Sequence, residues 1–217
     1  YNGLAACLNP PKPAGRVPKL YVYPEIETEA KNVLALKRID PSKLLIAINP
    51  GAKYGDAKQW KDYHFAKTAD RLSSKYNAQV IILCGPGEED VANSIATKME
   101  KPGVVLMPEL VGLEVLKGIM KQVDLLVTND TGTRQYAEAF AVPTVVVYGP
   151  TDQAWSVSGS KTSRNLQLDL DCGPCMKRAC PLGHHRCMEE LPPEKAVEAA
   201  DELIRMYKSE KIPAEIK

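Results

Sequence analysis

From Leu44 onward the chain repeats one unit, a short β-branched apolar run followed by a longer segment with the apolar spacing of a helix. The runs cover residues 44–49, 80–84, 104–107, 125–128 and 144–148. Between them, residues 63–75, 90–99, 113–121 and 135–140 carry helical periodicity, with Phe65, Ala66, Ala69 and Leu72 marking one face of the first. Strands joined by helices of this length pair in parallel through right-handed crossovers and need cover on both faces. The pattern therefore predicts an α/β fold, a doubly wound parallel sheet of the Rossmann-like kind. A chain of 217 residues that is 44% hydrophobic is long enough to give such a sheet its own core.

The alternation also divides the chain. Residues 1–40 hold Pro10, Pro11, Pro13 and Pro18, which disfavour a regular helix, and are expected to be a linker and the remnant of a preceding domain. Residues 41–217 form the predicted domain. Past Pro150 the alternation stops. A polar loop over 151–164 leads to a short strand around 166–168 and a Cys-rich loop at 170–188. A C-terminal helix at 193–208 follows, started by Pro192 and Pro193, with Ala196, Val197, Ala200, Leu203 and Ile204 on its apolar face. Tyr1 opens the chain without a charged-then-apolar leader, so no signal peptide is expected and the sequence reads as part of something longer. The apolar runs are strand-sized, so a soluble protein with at most peripheral membrane contact is expected. Lys and Arg number 28 against 27 Asp and Glu, which gives no global bias toward nucleic acid.

In an open parallel sheet, ligands bind beyond the carboxyl ends of the strands. Three such loops look like parts of one site. The first, 49–60, keeps an open backbone through Pro50, Gly51 and Gly55 and offers Lys53 and Lys58, which are either phosphate partners or ordinary solvated lysines. The second, 84–90, carries Glu88, Glu89 and Asp90. Acidic residues suit a helix N-terminus on dipole grounds alone, but Glu88 is also placed to accept hydrogen bonds from ribose or sugar hydroxyls. The third is Asn129-Asp130-Thr131-Gly132-Thr133, between a strand and a helix. Its free backbone N–H groups would form an anion site, with Asp130 serving hydroxyl recognition or orienting a donor. The plainer alternative makes Asp130 or Thr131 an N-cap.

Asn49-Pro50-Gly51-Ala52 with Ala57-Lys58-Gln59-Trp60, then Thr128-Asn129-Asp130-Thr131-Gly132 with Arg134 and the 137–143 segment, then Tyr148-Gly149-Pro150-Thr151-Asp152 resemble the family 9 glycosyltransferases. These are the ADP-heptose:lipopolysaccharide heptosyltransferases, and the pattern is most like the heptosyltransferase II members. The resemblance implies the C-terminal domain of a two-domain GT-B fold that binds the nucleotide-sugar donor, while the N-terminal domain binds the acceptor. It implies transfer of heptose from ADP-heptose to the lipopolysaccharide inner core in the cytoplasm, at the inner face of the inner membrane, with no cofactor or metal in the transfer. Carried over by motif, Lys58 contacts the donor phosphates, Glu88 the ribose or sugar hydroxyls and Asp130 the sugar. Thr131 and Gly132 hold the diphosphate through their amides, and residues 110–113 pack the adenine. Gln135 is a departure, since the family usually has His there, and Gln donates a hydrogen bond without carrying charge. The family's general base comes from the N-terminal domain. No catalytic residue is therefore assigned here, and this half is expected to bind donor without turnover. A GT-B transferase with another nucleotide-sugar donor and a zinc-stabilised, non-catalytic interaction module are the alternatives.

Six cysteines remain to be placed. Cys7 and Cys84 are isolated and read as small apolar residues. Cys172, Cys175, Cys180 and Cys187 fall within sixteen residues in a Cys-x2-Cys-x4-Cys-x6-Cys pattern beside His184 and His185. That spacing suits a structural zinc site, with disulfides or free thiols as the alternatives. His64, in a helical run, is expected to be packed or on the surface.

Overall fold

A computed structural model of the chain describes residues 17–53, 55–101, 103–109, 111–156 and 159–209. Cys7, the three earliest prolines of the linker and Leu110 of the expected adenine segment lie outside them. Six parallel strands form one sheet: β1 (Leu45–Asn49), β2 (Gln79–Leu83), β3 (Val104–Leu106), β4 (Leu125–Asn129), β5 (Thr144–Val147) and β6 (Ser163–Leu166). Their spatial order is β3-β2-β1-β4-β5-β6. The chain winds outward from β1 in one direction and from β4 in the other, so a crevice opens between the carboxyl ends of these two central strands. Their register pairs Ile48 with Val127 and Asn49 with Thr128 at that edge.

Helices cover both faces, as the unbroken apolar runs require. On one face Ile46 and Ile48 of β1 pack with α2 (Asp62–Tyr76), α3 (Glu89–Lys98) and the long C-terminal helix α7 (Pro193–Tyr207). On the other, Leu45 and Ala47 pack with α1 (Pro24–Leu36), α4 (Leu113–Met120) and α5 (Thr133–Ala139). A four-residue helix, α6 (Arg186–Glu189), follows the Cys-rich loop and plugs Met188 into the first of these layers.

Two elements differ from the sequence reading. Helix α1 lies inside the segment assigned to the linker, yet Pro24 occupies its first turn, Glu25 and Glu27 suit its dipole, and Ala30 and Leu34 are buried in the second layer. It approaches α4 so closely that a Cβ on Gly118 would stand 2.7 Å from the Ala30 Cβ and 2.9 Å from the Ile26 carbonyl oxygen. Strand β6 starts three residues before the expected 166–168. It is the sheet's edge, half-buried throughout, and its Ser-Arg-Asn-Leu sequence lacks the β-branched run that marks the inner strands.

Candidate functional site

A cavity of about 610 Å³ occupies the crevice. One wall is apolar, built by Leu83 and Leu106 at strand ends and by Val111, Leu113 and Leu116 around the start of α4. The opposite end is polar, and there Asn49, Lys53, Glu88, Thr131, Gly132, Thr133 and Gln135 meet. Residues from loops up to 86 positions apart in sequence are thus brought together by the β1–β4 junction.

The loop after β4 is pinned from below. Asn49, the last residue of β1, donates through Nδ2 to Thr128 Oγ1 at 3.0 Å and to Thr131 Oγ1 at 2.9 Å. Asn129 donates to the Pro50 carbonyl at 2.7 Å and accepts from the Trp60 amide at 3.1 Å, which ties the loop after β1 to the same place. Gly132, not Asp130 or Thr131, occupies the N-cap position of α5, and no side chain caps the helix. The plain capping role therefore does not describe Asp130 or Thr131. Among the described residues, none accepts a hydrogen bond from the Thr131, Gly132 or Thr133 amide.

Glu88 enters from the second loop. It stands at the N-cap of α3 without capping it, and its carboxylate turns back to accept the Gly85 amide at 2.9 Å. A Cβ on Gly51 would lie 2.3 Å from Glu88 Oε2, so only glycine at 51 allows the carboxylate to sit where it does. The dipole argument, which made Glu88, Glu89 and Asp90 equivalent, leaves out this contact.

Lys58 and Asp130 are placed otherwise than the sequence reading had them. The ammonium meets Asp130 Oδ2 at 2.6 Å, with both side chains only 10% exposed, and neither residue lines the cavity. The reading that made Lys58 an ordinary solvated lysine is thereby corrected. Among the described residues of that loop, Lys53 is exposed and lines the cavity. Thr151 Oγ1 donates to the same Asp130 oxygen at 3.0 Å, and Arg134 Nε approaches the other at 3.7 Å. Arg134 is itself fully buried, paired with Glu138 at 2.7 Å and donating to the Ser156 carbonyl at 2.7 Å. Sequence reasoning missed this Arg134–Glu138 support. Its signal was the i, i+4 spacing of opposite charges on a short helix.

The remaining candidates fall into two groups. Cys84 donates to the Leu106 carbonyl, and burial together with the nearby carboxylates of Glu89, Glu88 and Glu109 pushes its thiol up to about 11, so it is an inert packing residue. His64 is buried against Trp60 with ring centroids 5.2 Å apart, as a packed histidine. Cys172, Cys175, Cys180 and Cys187 all line one small cavity together with Ala57, Gly149 and Pro150. Among the described residues, no three His, Cys, Asp or Glu side chains already stand at metal-holding separations.

A doubly wound parallel sheet with a crevice at its switch point, apolar on one side and presenting helix-terminal amides on the other, places this domain in the Rossmann-like class from which GT-B glycosyltransferases are built. The model of the glycosyltransferase family 9 (heptosyltransferase) matches residues 16–186, and the chain belongs to that family. It is 33% identical to lipooligosaccharide heptosyltransferase 2 of Campylobacter jejuni over 75% of this chain and 52% of the relative. To lipopolysaccharide heptosyltransferase 2 of Escherichia coli K12 it is 25% identical over 74% of this chain and 47% of that one. The chain thus spans about half the length of the curated relatives it matches. In fold it is similar to a family 9 glycosyltransferase of Veillonella parvula, with a TM-score of 0.81 at 21% identity over 94% of this chain and 58% of that one. It is also similar to E. coli heptosyltransferase II, with a TM-score of 0.76 at 22% identity over 92% and 56%.

Proposed function

We propose that this chain is the donor-binding half of a heptosyltransferase that moves heptose from ADP-heptose to the inner core of lipopolysaccharide. The observation that carries the reading is the composition of the crevice: an apolar slot of base size opens directly onto unpartnered amides at a helix start, with one carboxylate between them. In this reading the adenine lies against Val111, Leu113 and Leu116, Glu88 accepts from donor hydroxyls, and the amides of Thr131, Gly132 and Thr133 hold the diphosphate.

The chemistry follows from charge. An acceptor hydroxyl, deprotonated by a carboxylate outside the matched residues, attacks the anomeric carbon as the bond to the diphosphate breaks, with inversion. Negative charge grows on the departing ADP. Fixed amide dipoles stabilise it, with Gln135 and Lys53 from the cavity lining and the paired Lys58 acting at longer range from outside it. Asp130 holds the Lys58 ammonium in place, which gives it the donor-orienting task rather than a direct phosphate contact, since two anions would repel.

Melting temperature tests the reading, because a ligand that binds only the native state stabilises it, by about 2.7 kcal/mol at one hundred times its dissociation constant. ADP is expected to raise the melting temperature, and UDP and GDP to have little effect. No shift at millimolar ADP would reject the proposal, and a larger shift with UDP would move the chain to a different donor class.

A further inference from the structure

The segment 171–187 has an unusual construction. It holds no strand, and its one helix begins only at Arg186. Every residue in it is exposed except Cys172, Cys175, Cys180, His185 and Cys187, which are half-buried. A loop of this length in which only Cys187 packs against the core gains little from hydrophobic burial, and small units of that kind rely on a disulfide or a metal. All four thiols are free and line the same cavity. Its volume of about 30 Å³ admits a single ion or water and excludes an organic ligand.

We infer that Cys172, Cys175, Cys180 and Cys187 bind one tetrahedral metal ion of the thiophilic class, zinc or iron, which clamps the wall of the crevice behind Lys58. Four thiolates are the donor set for either ion, with sulfur at about 2.3 Å from zinc. No three of these groups yet stand at metal-holding separations among the described residues, and the thiols, which line one cavity, would close on the ion by turning their side chains. The clamp is visible in the backbone. The Arg178 carbonyl accepts from the Ala57 amide at 3.2 Å, beside Lys58. The Met176 amide donates to the Pro150 carbonyl at 2.8 Å, beside the Thr151 that holds Asp130. Gly55 is so close to the Arg178 carbonyl that a Cβ there would lie 2.2 Å from it. The Cys-rich loop therefore touches both segments that position the Lys58–Asp130 pair, and an ion at its centre would fix their spacing without contacting any substrate.

Elemental analysis of the unmodified chain, purified in reductant without chelator, tests the site and needs no variant. About one equivalent of metal per chain is expected. Zinc would leave the protein colourless, and iron would show charge-transfer bands from thiolate. Exchange with cobalt should give the absorption of a tetrathiolate complex. Cys175→Ser and Cys187→Ser should each lose the metal on dialysis, and Cys84→Ser should keep it. Hydrogen exchange at Ala57 and Met176 should accelerate when a strong chelator removes the ion. Four reactive thiols with no metal after reconstitution, or a mass loss showing disulfides, would overturn the site. Metal that leaves without changing exchange at those amides would overturn the clamp.

Discussion

Lys58 and Asp130 meet at 2.6 Å with little water around them, so each compensates the burial of the other. Removing one partner of such a pair leaves an uncompensated charge. Asp130→Asn is expected to lower stability by about 3 kcal/mol, measured by urea denaturation, and the Lys58→Met/Asp130→Asn double variant should lose less than the sum of the single losses. Additive losses would mean that the pair does not act as a unit. Gln135 gives a second prediction at this scale. It lines the cavity, and a histidine there would be cationic below a pH of about 6.5. Gln135→His should therefore make ADP bind more tightly as pH falls through that value, while the parent chain changes less. Calorimetry across the range checks the difference, and a flat profile in the variant would place residue 135 away from the phosphates. Thr131, Gly132, Glu88 and Gln135 were legible because each sits just past a strand or at a helix start, where topology alone directs it to the crevice. The pairing of Lys58 with Asp130 was not, because 72 positions separate them and a single lysine in a glycine-bearing loop looks the same in sequence whether it is solvated or buried.

The inner strands were legible for a different reason: burial on both faces demands continuous apolar runs, and β1 and β4 are buried at every residue. Helix α1 was not, because prolines precede it and its apolar residues are diluted by Glu25, Glu27, Glu29 and Lys31. Its contact with α4 makes a sharp prediction. Gly118→Val would drive a side chain into Ala30 and the Ile26 carbonyl, and the loss is expected to be about 1–3 kcal/mol by thermal or urea unfolding. An unchanged midpoint would mean that α1 is not held against the sheet. The α2–α7 contact predicts a pH dependence. Burial works against the Asp201 carboxylate, but Lys75, Tyr76 and Arg205 together hold its pKa below the ordinary value of 3.8. A carboxylate depressed in the folded state contributes stability above its unfolded pKa and loses it as pH falls through the folded one. The contribution of Asp201 should thus be complete above a pH of about 4 and fade below it. Acid unfolding of Asp201→Asn should lack that component, and an identical acid limb in both proteins would remove Asp201 from the account.

At the scale of the molecule, the proposed function makes the crevice a donor site and leaves the acceptor's base to another part of the enzyme. Glu88, the carboxylate at the polar end, accepts the Gly85 amide and faces the proposed donor hydroxyls, while Asp130, outside the cavity lining, is committed to Lys58 and Thr151. On the proposed reading both carboxylates already have partners, and the base for an incoming acceptor hydroxyl comes from outside the crevice. Binding and turnover should therefore separate. The chain alone should bind ADP-heptose, with hydrogen exchange slowed in the loops after β1, β2 and β4 and unchanged at the opposite end of the sheet around Asp40 and Gln122. Sugar transfer to a lipopolysaccharide core acceptor should stay at background until an acceptor-binding half is supplied. Transfer by this chain alone at a rate unaffected by adding that half would place the base among its own residues and require a different assignment for Glu88.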